Sequence, residues 1–196
     1  MQQGACGNHA ALRRFQCAMT HDADKLTRFF SGAEDDQGRT FDEILGWDDA
    51  RLEMVHDYIQ WIFPLPEPSG ANPAAPVLDG ASIAAIRSSP EMQGRLRAAF
   101  ERMLAFYGFA LERDTVAEGQ RFAVASRNWL HAGNHNHLRL TRMLRSLRVL
   151  GLGHEAALLW EALRSVSERE RASGRRAITT ETVSFWRQAA TSPRGR

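Results

Sequence analysis

HNHLRLTRMLRSLRVLGLGHEAALLWEALRSVSERER, residues 135–171, decides the fold class. Leu140, Met143, Leu144, Leu147 and Leu150 fall within about 120° of one another when projected at about 100° per residue, so 137–150 is an amphipathic helix. Gly151 stops it. GHEAALLWEALRSVSERER (153–171) resumes helical spacing almost at once, so the two helices pair antiparallel across a tight turn.

Working outward, SGRR breaks the second helix, and Thr180 caps a last one, ETVSFWRQAA. Upstream, Ser89-Pro90 is a strong helix start, a capping hydroxyl followed by proline at the first helical position. Met92, Leu96, Phe100, Met103, Leu104 and Tyr107 then form one stripe, and Gly108 supplies the stop. Residues 109–126 lack a clear period and read as a loop with a short extended piece at FAVA, with a brief turn near Ser126 or Asn128 beside Trp129. PLPEPSGANPAAP (64–76) holds five of the seven prolines and reads as an extended strap anchored by Leu65, Val77 and Leu78. Asp79 caps a short helix at 82–88. Thr40 caps FDEILGW, and Asp48 caps DARLEMVHDYIQWIF, read as one helix that Pro64 ends. There is no repeat and no alternating strand series. The expected fold is all-α: a single-domain irregular helical bundle with a proline-rich strap, a loose leader over 1–23, the helical domain over 24–190 and a tail over 191–196.

Hydrophobic residues at 43% and charged residues at 24% are those of a globular protein. The net charge of +2 is small, which argues against nucleic acid as a partner. Lys25 is the only lysine beside 24 arginines. Cys6 and Cys17 both lie in the leader and make no disulfide framework, so a reducing, cytoplasmic setting is expected. No run approaches the roughly 18–20 apolar residues of a membrane span.

Chemistry concentrates at the start of the arginine-bearing helix. His135 and His137 are two apart, roughly 200° around a helix, and no cysteine is near, so a metal is not expected. No nucleophile elbow or phosphate loop is present, and no cofactor is implied. Three readings remain. In the first, His56, Gln60 and Trp61 of HDYIQW converge with Trp129, Asn134, His135, Asn136, His137, Arg139 and Arg142 to hold a short peptide or an anionic group, the arginines pairing with negative charge. In the second, His56, His135 and His137 carry acid–base chemistry in an enzyme, or the histidines and arginines serve a phosphate- or nucleic-acid-binding protein. In the third the same residues are structural: Asn134 or Asn136 is an N-cap, the imidazoles stack on Trp129 or Trp61, and function lies on an oligomer surface. Arg139, Arg142, Arg145 and Arg148 recur every three residues, Arg139 and Arg148 bordering the apolar stripe, Arg142 and Arg145 facing away. HDYIQWIF carries more aromatic surface than one stripe hides, which calls for burial on two sides by the strap or for exposure of part of it to a partner.

HDYIQWIFPLPEPSGANPAAPVLD, RMLAFYGFAL and RNWLHAGNHNHLRLTRMLRSLRVLGLGHEA together resemble the conserved N-terminal region of the opioid growth factor receptor family, across about residues 41–165. That family includes many short bacterial members. The resemblance implies an all-helical region without enzymatic activity. It also implies, from the animal protein, a receptor for the peptide met-enkephalin associated with the nuclear envelope.

Overall fold

The computed structural model describes residues 25–191. The expected leader, including both cysteines, and residues 192–196 lie outside that range. Ten α-helices account for most of the described chain. They are α1 (seen over 25–30), α2 (Phe41–Leu45), α3 (Asp49–Met54), α4 (Ile59–Ile62), α5 (Gly80–Ser88), α6 (Pro90–Tyr107), α7 (Phe122–Ala125), α8 (Asn136–Val149), α9 (Gly153–Ala172) and α10 (Thr180–Thr191). A hairpin of β1 (Phe109–Glu112) and β2 (Thr115–Glu118) follows α6, and a 3-10 turn, Ser126–Asn128, follows α7. One continuous core runs from Leu26 to Ala190.

Local chemistry explains most element starts. Thr40 and Glu43 form a reciprocal capping box, Asp48 accepts from Arg51 N–H, and Asp79 caps α5. Ser89 accepts from Met92 N–H ahead of Pro90. The last helix is capped by Thr179 rather than Thr180: its hydroxyl accepts from Thr182 N–H at 3.1 Å. Gly108 ends α6 at φ +87°, and a Cβ there would sit 2.7 Å from Phe122 Cα, so both conformation and space require glycine.

Three elements depart from expectation. The segment read as a loop is an antiparallel hairpin with Phe109 opposite Glu118 and Leu111 opposite Val116. Its turn is made by Arg113 at φ +54° and Asp114, not by the asparagine–glycine pair that announces such turns. FAVA is the helix α7, held because Phe122 packs on Phe109 and Trp129, at ring distances of 5.2 and 6.2 Å. The expected helix 49–63 is two helices, α3 and α4, separated by Val55–Tyr58. Arg139 of α8 takes up the carbonyls of Leu52 and Val55 at 3.0 and 2.9 Å, which a continuous helix would have paired with its own N–H groups.

α8 lies against α9 and α10, and its arginine face carries the rest of the chain. Arg142 donates to Phe63 O at 3.1 Å, Ser146 to Pro64 O at 2.9 Å, and Arg145 pairs with Glu67. Arg142 therefore does not face open solvent: the strap covers that side of the helix and leaves the residue half-buried. The ends of the strap are tied by Leu78 N–H to Leu65 O at 3.0 Å, and Pro64, Ala75, Pro76 and Leu78 are its buried anchors. Leu65 and Val77 are only half-buried. Arg148 donates to Ala190 O of α10.

Candidate functional site

α8 begins at a polar hub built on long-range pairs. The N-cap position falls to His135, which makes no side-chain cap bond, rather than to Asn134 or Asn136; Asn134 Oδ1 accepts from Asn136 N–H at 2.7 Å from one residue further out. Asn136 is fully buried; its amide N–H groups donate to both oxygens of Glu53 at 3.3 and 3.0 Å, and its Oδ1 accepts from Arg139 at 3.2 Å and from the Tyr107 hydroxyl at 3.4 Å. Arg139, also buried, spends its remaining Nη hydrogens on Leu52 O, Val55 O and His56 Nδ1, the last at 3.0 Å. A guanidinium can only donate, so His56 Nδ1 is the acceptor and the ring proton sits on Nε2. Its guanidinium also lies 5.6 Å from the Tyr58 ring centre, and burial pushes the Tyr58 hydroxyl up to about 12.

The imidazoles part company. His137 is buried, donates from Nε2 to Trp129 O at 2.9 Å and stands edge-on to Trp186 at 5.5 Å. His135 is half-exposed, contacts Glu53 at 3.3 Å and meets His56 edge-on at 4.9 Å. Neither ring stacks on Trp129 or Trp61, as the structural reading had expected. Trp129 already sits among Tyr107, Phe109 and Phe122, and Trp61 is turned onto Phe29 at 5.2 Å. Trp129 is fully enclosed, with its indole N–H on Tyr107 O at 3.0 Å.

Burial lowers the pKa of His137, a drop only partly offset by its bond to Trp129 O. Burial and then Arg139 lower that of His135. Both rings are therefore more readily protonated in the unfolded chain, whose value is 6.5. Below that value the unfolded state binds more protons, so the stability these rings contribute is complete above about pH 7 and is lost as pH falls below 6.5. The urea midpoint should be level above about pH 7 and decline towards pH 5. His137→Gln, which keeps an N–H donor but cannot titrate, should shallow that decline; an undiminished slope would remove His137 as a source.

Beyond the hub lies a cleft of about 250 Å³, lined by Asp36, Gln37, His56, Asp57, Trp61 and the strap residues Ala71, Asn72, Ala74 and Ala75. Gln60 fixes its wall: with its amide turned so that the NH2 donates, it meets the carbonyls of Asp57 and His56 at 3.0 and 3.2 Å. The cleft carries carboxylates. Asp57 Oδ1 accepts from Arg39 at 2.9 Å while Oδ2 has no partner among the described residues, and Asp36 pairs with Lys25 at 3.2 Å. Arg39 bridges Asp57 to the buried Asp35, whose Oδ2 accepts from Arg39 Nε at 2.7 Å. Its Nη2 lies 2.6 Å from the same oxygen, at an angle too bent for a hydrogen bond. Both carboxylates hold the guanidinium in its charged form more firmly than usual, against the opposing effect of burial. Trp61 is 4% exposed and its indole N–H has no acceptor among the described residues.

Of the ten residues singled out by sequence, His56 and Trp61 line this cleft and Gln60 braces it. Asn134, His135, Asn136, His137 and Arg139 form or flank the hub, Arg142 is on the strap, and Trp129 is in the core. Asp36, Gln37, Asp57 and Asn72 were missed; only their folded proximity marks them. Among the described residues no three His, Cys, Asp or Glu side chains gather as a metal-ligand group, and no helix is long and apolar enough to cross a membrane.

Residues 35–189 match the profile described as the opioid growth factor receptor (OGFr) conserved region. The chain belongs to the opioid growth factor receptor family. It is 46% identical to the opioid growth factor receptor of Rattus norvegicus over 128 residues, 62% of this chain and 22% of that protein. It is 46% identical to that of Homo sapiens over 111 residues, 55% and 16%. Opioid growth factor receptor-like protein 1 of Xenopus tropicalis is 37% identical over 119 residues, 58% and 23%. The chain thus spans under a quarter of the length of these relatives. No solved structure matches. Hub, strap and cleft all fall inside the opioid growth factor receptor conserved region, while Lys25, the partner of Asp36, and Phe29, the neighbour of Trp61, precede it.

Proposed function

We propose that this chain is a non-enzymatic, receptor-like binding module that takes the amino-terminal end of a short peptide in the cleft between the Asp36–Gln37 turn, His56–Trp61 and the strap. The observation that carries the reading is the charge of the cleft. Arg139 and Arg142, the residues expected to hold an anion, donate to main-chain carbonyls, while among the carboxylate oxygens lining the cleft Asp57 Oδ2 is open, both oxygens of Asp36 facing Lys25. An ammonium group would pair with Asp57 Oδ2, the first peptide carbonyl would accept from His56 Nε2–H or the Trp61 indole, and an apolar side chain would lie on Ala71 and Ala75. Such contacts fit the name of the relatives, opioid growth factor receptor.

Met-enkephalin, the peptide implied by the family resemblance, is the first probe. Titrated calorimetrically, it should bind with its amine free and lose at least tenfold in affinity when N-acetylated. Asp57→Asn should cost about 1.5–3 kcal/mol of binding, the usual worth of a charged hydrogen bond, with the thermal midpoint little changed because Arg39 keeps Asp35. Ala71→Trp should occlude the cleft and abolish binding. Equal affinity of free and acetylated peptide, or indifference to Asp57→Asn, would refute the assignment.

A further inference from the structure

A second groove, of about 390 Å³, lies between α9 and α10, and it differs from the cleft in charge. One wall is Trp160, Arg164, Ser167, Glu168 and Arg171 of α9, at the spacing of a single helical face; the other is Thr180, Val183, Ser184 and Arg187 of α10. Arg164 is neutralised between Glu161 and Glu168, at 2.7 Å from each. Arg171 and Arg187, one on each wall, are exposed and have no carboxylate partner among the described residues. The groove therefore carries two uncompensated positive charges.

Its floor holds donors without acceptors. Trp160 is 9% exposed and Ser167 5%, yet neither the indole N–H nor the hydroxyl has a partner among the described residues. Trp129 and Trp186, the two tryptophans wholly in the core, both have their N–H groups bonded to carbonyls. The Trp160 N–H and the Ser167 hydroxyl stay open to the groove, since the one enclosed side-chain nitrogen or oxygen left without a hydrogen bond among the described residues is on Arg39. Beneath the pair of guanidiniums the floor thus offers two further donors to an acceptor-rich, negatively charged group.

We infer that the α9–α10 groove docks an acidic peptide segment of a partner protein, its carboxylates on Arg171 and Arg187 and an apolar side chain on Trp160 and Val183. The α9 wall from Trp160 to Arg171 is about 16 Å long at 1.5 Å per residue, the span of about five residues of extended chain. A lone phosphate would fill a small part of that length and leave the apolar floor bare. Each guanidinium can grip a carboxylate through two parallel N–H bonds. The inference is independent of the cleft and its peptide amine.

The test is fluorescence anisotropy of the full chain with a fluorescein-labelled pentapeptide, Glu-Glu-Leu-Glu-Glu, against its glutamine counterpart. The glutamate peptide is expected to bind at least tenfold more tightly, to weaken as salt rises, and to lose at least tenfold in the Arg171→Ala/Arg187→Ala double variant. Asp57→Asn should leave that binding unchanged. The two arginines are exposed and unpaired, so the variant keeps its thermal midpoint. Equal binding of the glutamine peptide, or full binding by the double variant, overturns the proposal. So does inorganic phosphate occupying the site as tightly as the peptide.

Discussion

Arg139→Ala should be the most damaging single substitution among the polar residues of α8, lowering unfolding free energy by about 3–5 kcal/mol, the range for removing one partner of a buried charged network. Against a typical total of about 5–15 kcal/mol, that is a large fraction. The loss has two parts. The carbonyls of Leu52 and Val55 and the Oδ1 of Asn136 each lose a charged donor in a dry setting, and Glu53 is left with one less positive neighbour. Arg139→Lys should recover only part of it, because an ammonium is a single point with three donors while the planar fork reaches four separated acceptors. Urea unfolding gives the energies, and amide exchange across 52–58 should quicken beyond the change elsewhere. A midpoint equivalent to less than about 1 kcal/mol from the parent would mean that these carbonyls have other donors.

Trp129→Ala should cost a comparable 3–5 kcal/mol, the range for truncating a large buried aromatic side chain, without touching either groove. The indole fills the space between Tyr107, Phe109 and Phe122, so its loss leaves a cavity under the hairpin and strands Tyr107 O. Calorimetric unfolding measures the loss. Below the lowered midpoint, both peptide affinities should match the parent. Weakened binding in a fully folded sample would make Trp129 a ligand contact after all.

The two tryptophans proposed together from sequence thus separate by environment. Nothing in the spacing of Trp61 and Trp129 distinguishes a core ring from one at a cleft edge; the distinction lies in whether the indole N–H meets a carbonyl. The helices of the carboxy-terminal half were legible because their apolar stripes are local, and the Ser89-Pro90 start and Gly108 stop obey local chemistry too. The break between α3 and α4 was not, because the residue that imposes it lies more than eighty positions away. Likewise the cleft assembles from the 36–37 turn, the 56–61 segment and the strap, so its acidic character emerges only once these meet. The arginine row was visible as a row, but whether it faced ions or carbonyls depended on a strap whose path sequence alone leaves open.

The manner in which α8 holds that strap has a consequence for how the family can vary. Arg139, Arg142 and Ser146 address peptide oxygens at positions 52, 55, 63 and 64, and every amino acid carries such an oxygen. The instruction for docking is therefore written on one partner only: exchanges of side chain at those four positions leave these bonds in place, whereas an exchange at Arg142 or Ser146 erases one and an exchange at Arg139 erases two at once. Divergence in the amino-terminal half, cleft-lining residues included, can proceed over a scaffold whose fastening is indifferent to it.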